Sequence, residues 1–143
     1  MTRLNTYLNF AGNAEEAFEL YRSVFGGDFS SVFRFRDMPM EGVDIPEGDQ
    51  GKMMHIALPV GDDILMASDT LQSLGQELVQ GNNAYVSVHP ESREEADRIF
   101  GALSEGAEIE MPIGDQAWGD YYGALKDKFG VRWMVNHSPP RDE

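Results

Sequence analysis

From Leu4 the run LNTYLNF alternates Leu4, Thr6, Leu8 and Phe10 with Asn5, Tyr7 and Asn9, the two-residue period of a strand with one apolar and one polar, aromatic face. Asn13 then stands where a helix N-cap belongs and Glu15 and Glu16 fall in the first turn. Ala14, Ala17, Phe18, Tyr21 and Phe25 recur at helical spacing until Gly26 and Gly27 stop the helix. The same order returns from Asn83. NAYVSV matches NTYLNF, pairing Asn5 with Asn83, Tyr7 with Tyr85 and Asn9 with Ser87, and SREEADRIFGALSEG supplies a cap at Ser92, acids in the first turn and an apolar stripe of Ala96, Ile99, Phe100 and Leu103.

Each helix is followed by three strand-like runs: FSSVFRFR, MMHIALPV and DILMAS in the first half, AEIEMPI, DYYGALK and RWMVN in the second. Gly61-Asp62-Asp63 and Asp127 to Gly130 have hairpin chemistry. The pattern predicts an α+β protein of two tandem β-α-β-β-β modules, about 1–69 and 83–137 with a linker at 70–82, in a single 1–143 domain. The strands form a cup-shaped mixed sheet with the helices on its outer face. Residues 37–51, rich in Pro, Gly and acids, read as an exposed, mobile loop, either a lid or a solvated insertion.

The 143 residues include no cysteine, so neither disulfides nor thiolate ligands are available. With 25 acidic and 11 basic residues the formal charge is −14, and without a basic patch this disfavours nucleic acid and anionic membrane surfaces as partners. No run approaches the ~18 apolar residues of a membrane span and no basic leader opens the chain, so a soluble, cytoplasmic protein is expected.

The duplication, together with FAGNAEEAFELYRSVFGG near the start, Asp37-Met-Pro, ILMASD at 64–69, Trp118 before Gly123, and KDKFGVRWMVN near the end, resembles the PhnB-like branch of the vicinal-oxygen-chelate superfamily. That superfamily includes glyoxalase I, extradiol dioxygenases and bleomycin-binding proteins. The resemblance implies a divalent-metal site on the first and last strands of each module, and the corresponding positions are Asn5, Met66, Asn83 and Met134. Two amides and two thioethers are poor donors for a divalent ion, so no metal of that type and no cofactor is expected. A pseudo-twofold Asn-Met quartet at the centre of the cup suits a neutral or aromatic small molecule instead. The methyltransferase label carried by some members finds no strand followed by a glycine-rich loop to hold S-adenosylmethionine. Dimerisation among relatives implies a homodimer.

Within MMHIALPV the alternation places Met54, Ile56, Leu58 and Val60 toward the core. His55, with Met53 and Ala57, then faces the pocket as a general-base candidate or as a strand histidine bonded to a neighbour. Arg34, alternating with Phe33 and Phe35, either faces the cup as an oxyanion ligand or lines a solvent edge. Tyr7, Tyr85, Trp118 and Tyr121 complete the expected pocket, Trp133 belongs to the helix-facing core, and His89 and His137 read as surface residues. The leading expectation is metal-free small-molecule binding. The alternatives are a metal-dependent lyase or dioxygenase using His55 with carboxylates such as Asp69, a methyltransferase as the family label suggests, and an interaction module without a ligand.

Overall fold

The computed structural model describes residues 2–140, and the chain divides into two compact units between Val79 and Gln80. The first holds β1 (Thr6–Phe10), α1 (Ala14–Phe25), β2 (Ser31–Arg34), β3 (Met53–Val60) and β4 (Asp63–Asp69). The second holds β5 (Val86–Val88), α2 (Arg93–Leu103), β6 (Glu108–Asp115), β7 (Tyr121–Lys126) and β8 (Arg132–His137). Their sheets have the orders β1-β4-β3-β2 and β5-β8-β7-β6, and in each the first strand runs parallel to its neighbour while the other pairs are antiparallel. The architecture is α+β, two tandem β-α-β-β-β modules whose eight strands make two four-stranded mixed sheets.

Within the first unit, α1 packs its buried Ala14, Ala17, Phe18, Tyr21 and Val24 on the face of the sheet that presents Phe10, Ile56, Leu58, Leu65 and Ala67. Val24 takes the buried position that helical spacing had suggested for Phe25, which is half-buried. Asn13 makes no side-chain cap bond. The carboxylate of Asp69, at the end of β4, does that work from across the sheet: Oδ1 accepts from the N–H groups of Gly12 and Ala14, each at 3.0 Å, and Oδ2 from Met53 at 2.8 Å. Asp69 is 4% exposed, so these bonds replace its lost hydration and tie the β1–α1 turn to the start of β3. At the other end of α1, Gly26 has φ 81° and donates to Arg22 O at 2.7 Å.

The second unit repeats the arrangement with Ala96, Ile99, Phe100 and Leu103 of α2 over Leu125, Trp133 and Val135. Ser92 caps α2 as expected, accepting from Glu95 N–H at 3.1 Å. Asp127, in the turn between β7 and β8, is a second buried carboxylate: Oδ1 accepts from Phe129 and Val131 N–H, and Oδ2 from the indole of Trp133 at 2.9 Å. The Asp127 to Gly130 turn closes with Gly130 at φ 89°. His137, expected on the surface, is 8% exposed with Nδ1 2.9 Å from Pro90 O, because β8 extends far enough to carry it beneath the entry to α2.

The 37–51 segment is largely exposed; a 3-10 turn at Phe35–Asp37 leads into it and a second, Glu47–Asp49, lies within it. Its end is anchored, with Asp49 pairing with Lys52 at 2.7 Å and accepting from Ser73 Oγ at 2.5 Å. Among the described residues no helix is long and apolar enough to cross a membrane.

Candidate functional site

Each sheet has a second face that its own helix does not cover, and the strand alternation decides what stands there. In the first unit Leu65, Ala67, Ile56 and Leu58 face α1, so Tyr7, Asn9, Met66, Ser68 and His55 lie on the other side. The register sets Tyr7 beside Met66, and Asn9 beside Ser68. The Tyr7 hydroxyl is 3.2 Å from His55 Nδ1, and the two rings stack with centroids 5.7 Å apart and planes at 28°. Ser68 donates to Asn9 Oδ1 at 3.1 Å. Phe33 is opposite His55 in β2 and is 40% exposed. This face is therefore an aromatic and weakly polar surface with a thioether beside it.

Two expectations on this unit change. A β-bulge makes Met54 the extra residue, since Phe33 pairs with His55 and Arg34 with Met53. The bulge resets the alternation, and Met53 is buried at 1% exposure while His55 keeps its place on the helix-free face. Arg34 turns toward α1: its guanidinium grips Glu15 at 2.5 and 3.1 Å and donates to Gly51 O at 2.8 Å. β2 ends at Arg34 and Phe35 opens a 3-10 turn, so Phe33 and Phe35 do not share a face: Phe35 is buried while Phe33 is exposed. The Arg34 bond holds the Glu15 carboxyl below the usual carboxylate range, and Glu15 raises Arg34 in return.

In the second unit Leu125, Trp133 and Val135 face α2, and Arg132, Met134, Asn136 and Tyr122 face away. Tyr121, named from the sequence, sits on the helix side. Its hydroxyl bonds Asp97 of α2, which raises its pKa, and Arg93 lies 4.0 Å over its ring. The neighbouring Tyr122 is the residue on the helix-free face, with Trp118 edge-on at 5.8 Å and 56% exposed. Tyr85 donates to Glu110 Oε2 at 2.9 Å, and Arg132 Nη1 reaches the same oxygen at 2.8 Å. Glu110 and Arg132 were missed because neither fits a ligand pattern in sequence. Burial, and then the fields of Tyr85 and Glu110, push the Tyr122 phenol up.

The quartet of metal positions does not form equivalent pairs. Asn5 precedes β1 and its Oδ1 accepts from Ile64 N–H at 3.1 Å, whereas Asn83 lies three residues before β5 in a bend. Met66 stands beside Tyr7, but Met134 stands beside Ser87, the counterpart of Asn9. These donors do not fit a divalent ion, and among the described residues no three His, Cys, Asp or Glu side chains are grouped to hold one. Asp69 is on the opposite face of the sheet from His55, with both oxygens committed to backbone N–H groups, so it supplies no ligand beside that histidine.

Residues 2–136 match the family described as 3-demethylubiquinone-9 3-methyltransferase. The chain is similar to the protein YjdN of Escherichia coli, with 29% identity over 140 residues covering 93% of each protein. It is also similar to the crystal structure of protein PA1353 from Pseudomonas aeruginosa, with 36% identity, 96% and 98% of the two chains covered, and a TM-score of 0.85. A PhnB protein from Bacillus cereus shares 27% identity, with 96% and 100% coverage and a TM-score of 0.76. The fosfomycin resistance protein FosX from Listeria monocytogenes, at 8% identity and a TM-score of 0.66, shares the fold alone. A methyltransferase needs a methyl donor, and the residues here do not fit S-adenosylmethionine at a strand-to-helix turn: Ala11-Gly12-Asn13 has one glycine, and the Gly12 and Ala14 N–H groups are held by Asp69.

Proposed function

The chain belongs to the PhnB-like family described as 3-demethylubiquinone-9 3-methyltransferase, in the vicinal-oxygen-chelate superfamily, and on that premise we propose that it binds a small organic molecule without a divalent metal. The observation that carries this reading is the stacked Tyr7–His55 pair on the helix-free face of the first sheet, with Met66 beside Tyr7. Stacked rings and a polarizable thioether favour a planar apolar ligand, and the hydroxyl and imidazole fix its orientation.

The experiment is elemental analysis of protein purified without chelator, with thermal shift in Zn, Ni, Mn and Fe(II). A metal at 100 times its dissociation constant stabilises by about 2.7 kcal/mol, so the expected result is no stoichiometric metal and no shift. A stoichiometric, stabilising metal overturns the metal-free reading. Ligand binding is read separately by a fragment screen with quinoline and related planar rings, followed through the imidazole resonances of His55.

A second reading is favoured by one feature of the same pair. In the tautomer whose Nδ1–H donates to the Tyr7 oxygen, the His55 ring is fixed in orientation and Nε2 keeps a free lone pair, which suits a general base acting through Nε2. Turnover lost in His55→Ala and weakened in Tyr7→Phe identifies such an enzyme, once a substrate is in hand. A homodimer is part of the proposal, and sedimentation velocity measures it.

A further inference from the structure

The helix-free face of the second sheet carries a charged cluster that the hydrophobic pattern does not explain. β6 pairs with β7 through Ile109 opposite Leu125 and then Met111 opposite Ala124, so Glu110 is the extra residue of a bulge. Its carboxylate meets Arg132 of β8 and the Tyr85 hydroxyl at the same oxygen. The Arg132 side chain is 19% exposed and its guanidinium carbon lies 5.9 Å from the Tyr85 ring centroid. Its Nε is buried and has no hydrogen-bond partner.

A buried guanidinium N–H without an acceptor is costly, and such an orphan marks the place of an absent partner. Glu110 engages the guanidinium through Nη1 and the Tyr85 hydroxyl also interacts with it, yet Nε itself is left without an acceptor. Glu110 already neutralises Arg132, and the chain carries a formal charge of −14. The missing acceptor is therefore a neutral oxygen, because a second anion would face an adjacent carboxylate. Met134 lies two residues further along the same face, and Tyr122 with Trp118 adds aromatic surface.

We propose that Arg132 Nε donates to the carbonyl oxygen of a neutral, planar aromatic ligand bound on the helix-free face of the second sheet. This rests on the small-molecule reading and names the ligand group that is recognised. Access requires the half-buried Tyr85 side chain, just before β5, to swing away from the guanidinium.

The test is an NMR titration of the full chain with 2-acetylnaphthalene and with 2-isopropenylnaphthalene, which keeps the trigonal side chain and lacks the carbonyl. A hydrogen bond from a charged donor predicts about tenfold tighter binding of the ketone. Arg132→Lys keeps the charge opposite Glu110 but removes Nε, and is expected to abolish the preference. In the unmodified protein, the Arg132 Nε–H resonance is expected to move with the ketone and not with the hydrocarbon, a readout that requires no variant to fold. Equal affinities, a preference that survives in Arg132→Lys, or an unmoved Nε–H resonance overturns the carbonyl contact while leaving ring binding intact. If neither probe binds, the inference also fails, and the metal analysis decides the broader reading independently.

Discussion

Asp69→Ala tests whether one carboxylate, and not the local sequence, organises the β1–α1 turn. Asp69 is 4% exposed and accepts from Gly12, Ala14 and Met53 N–H groups. Removing an acceptor that carries charge leaves each buried donor unsatisfied at about 1.5–2 kcal/mol. Ala14 and Met53 bear the full penalty and the exposed Gly12 little, since water can replace its partner. The total is about 3–4 kcal/mol, a large share of the ~5–15 kcal/mol that holds a typical domain folded. Asp69→Asn keeps Oδ1 for Gly12 and Ala14 but turns an NH₂ donor on the Met53 N–H, so its expected loss is about 2 kcal/mol. Urea unfolding followed by circular dichroism gives the stabilities, and amide exchange at Ala14 and Met53 reports the site directly. A loss below about 1 kcal/mol in Asp69→Ala, or unchanged exchange at both amides, refutes the reasoning.

Ser92→Ala removes the bond to Glu95 N–H and is expected to cost about 1 kcal/mol, whereas Asn13→Ala, at a position with no cap bond, costs under about 0.5 kcal/mol in the same denaturation assay. Gly123→Ala places a Cβ 2.8 Å from the Ile113 backbone and from Phe100 Cε2. Overpacking of this kind costs about 1–3 kcal/mol, and an unchanged melting midpoint contradicts the packing. The Glu15 carboxyl has a folded pKa depressed by Arg34, so its stabilisation is complete above the unfolded value of about 4.3 and is lost as pH falls through the folded one. The side chains are 51% and 29% exposed, which limits the pair to about 0.5 kcal/mol, screened further by salt. In Arg34→Met the Glu15 carboxyl carbon titrates at higher pH by NMR, and coincident titration curves argue against the pairing.

The elements were legible because alternation and helical spacing are local properties of the chain. Ser92 and the Asp127 to Gly130 turn behave as their residue types require, and Trp133 lies at 1% exposure on the helix side, where its parity puts it. The failures arise where a contact from far along the chain overrides the local signal. Asn13 has the right chemistry for a cap, but Asp69, 55 residues beyond Ala14, reaches the N–H first. Bulges at Met54 and Glu110 reset the alternation without any glycine to announce them, and the early end of β2 sends Arg34 to Glu15. Tyr121 and Tyr122 were decidable: Leu125 is a core residue, and two-residue alternation puts Tyr121 with it and Tyr122 on the other side.

The two faces have diverged even where the repeat is clearest. Tyr7 and Tyr85 correspond in the duplicated sequence, yet Tyr7 meets an imidazole and Tyr85 meets a carboxylate already paired with a guanidinium. A symmetric four-donor metal site needs both halves to hold their donors in the same rows. Here Met66 is beside Tyr7 while Met134 is beside Ser87, one row of two residues further on, or about 6.6 Å at strand rise. That offset is larger than a metal–ligand bond of about 2 Å can absorb by rotamer choice.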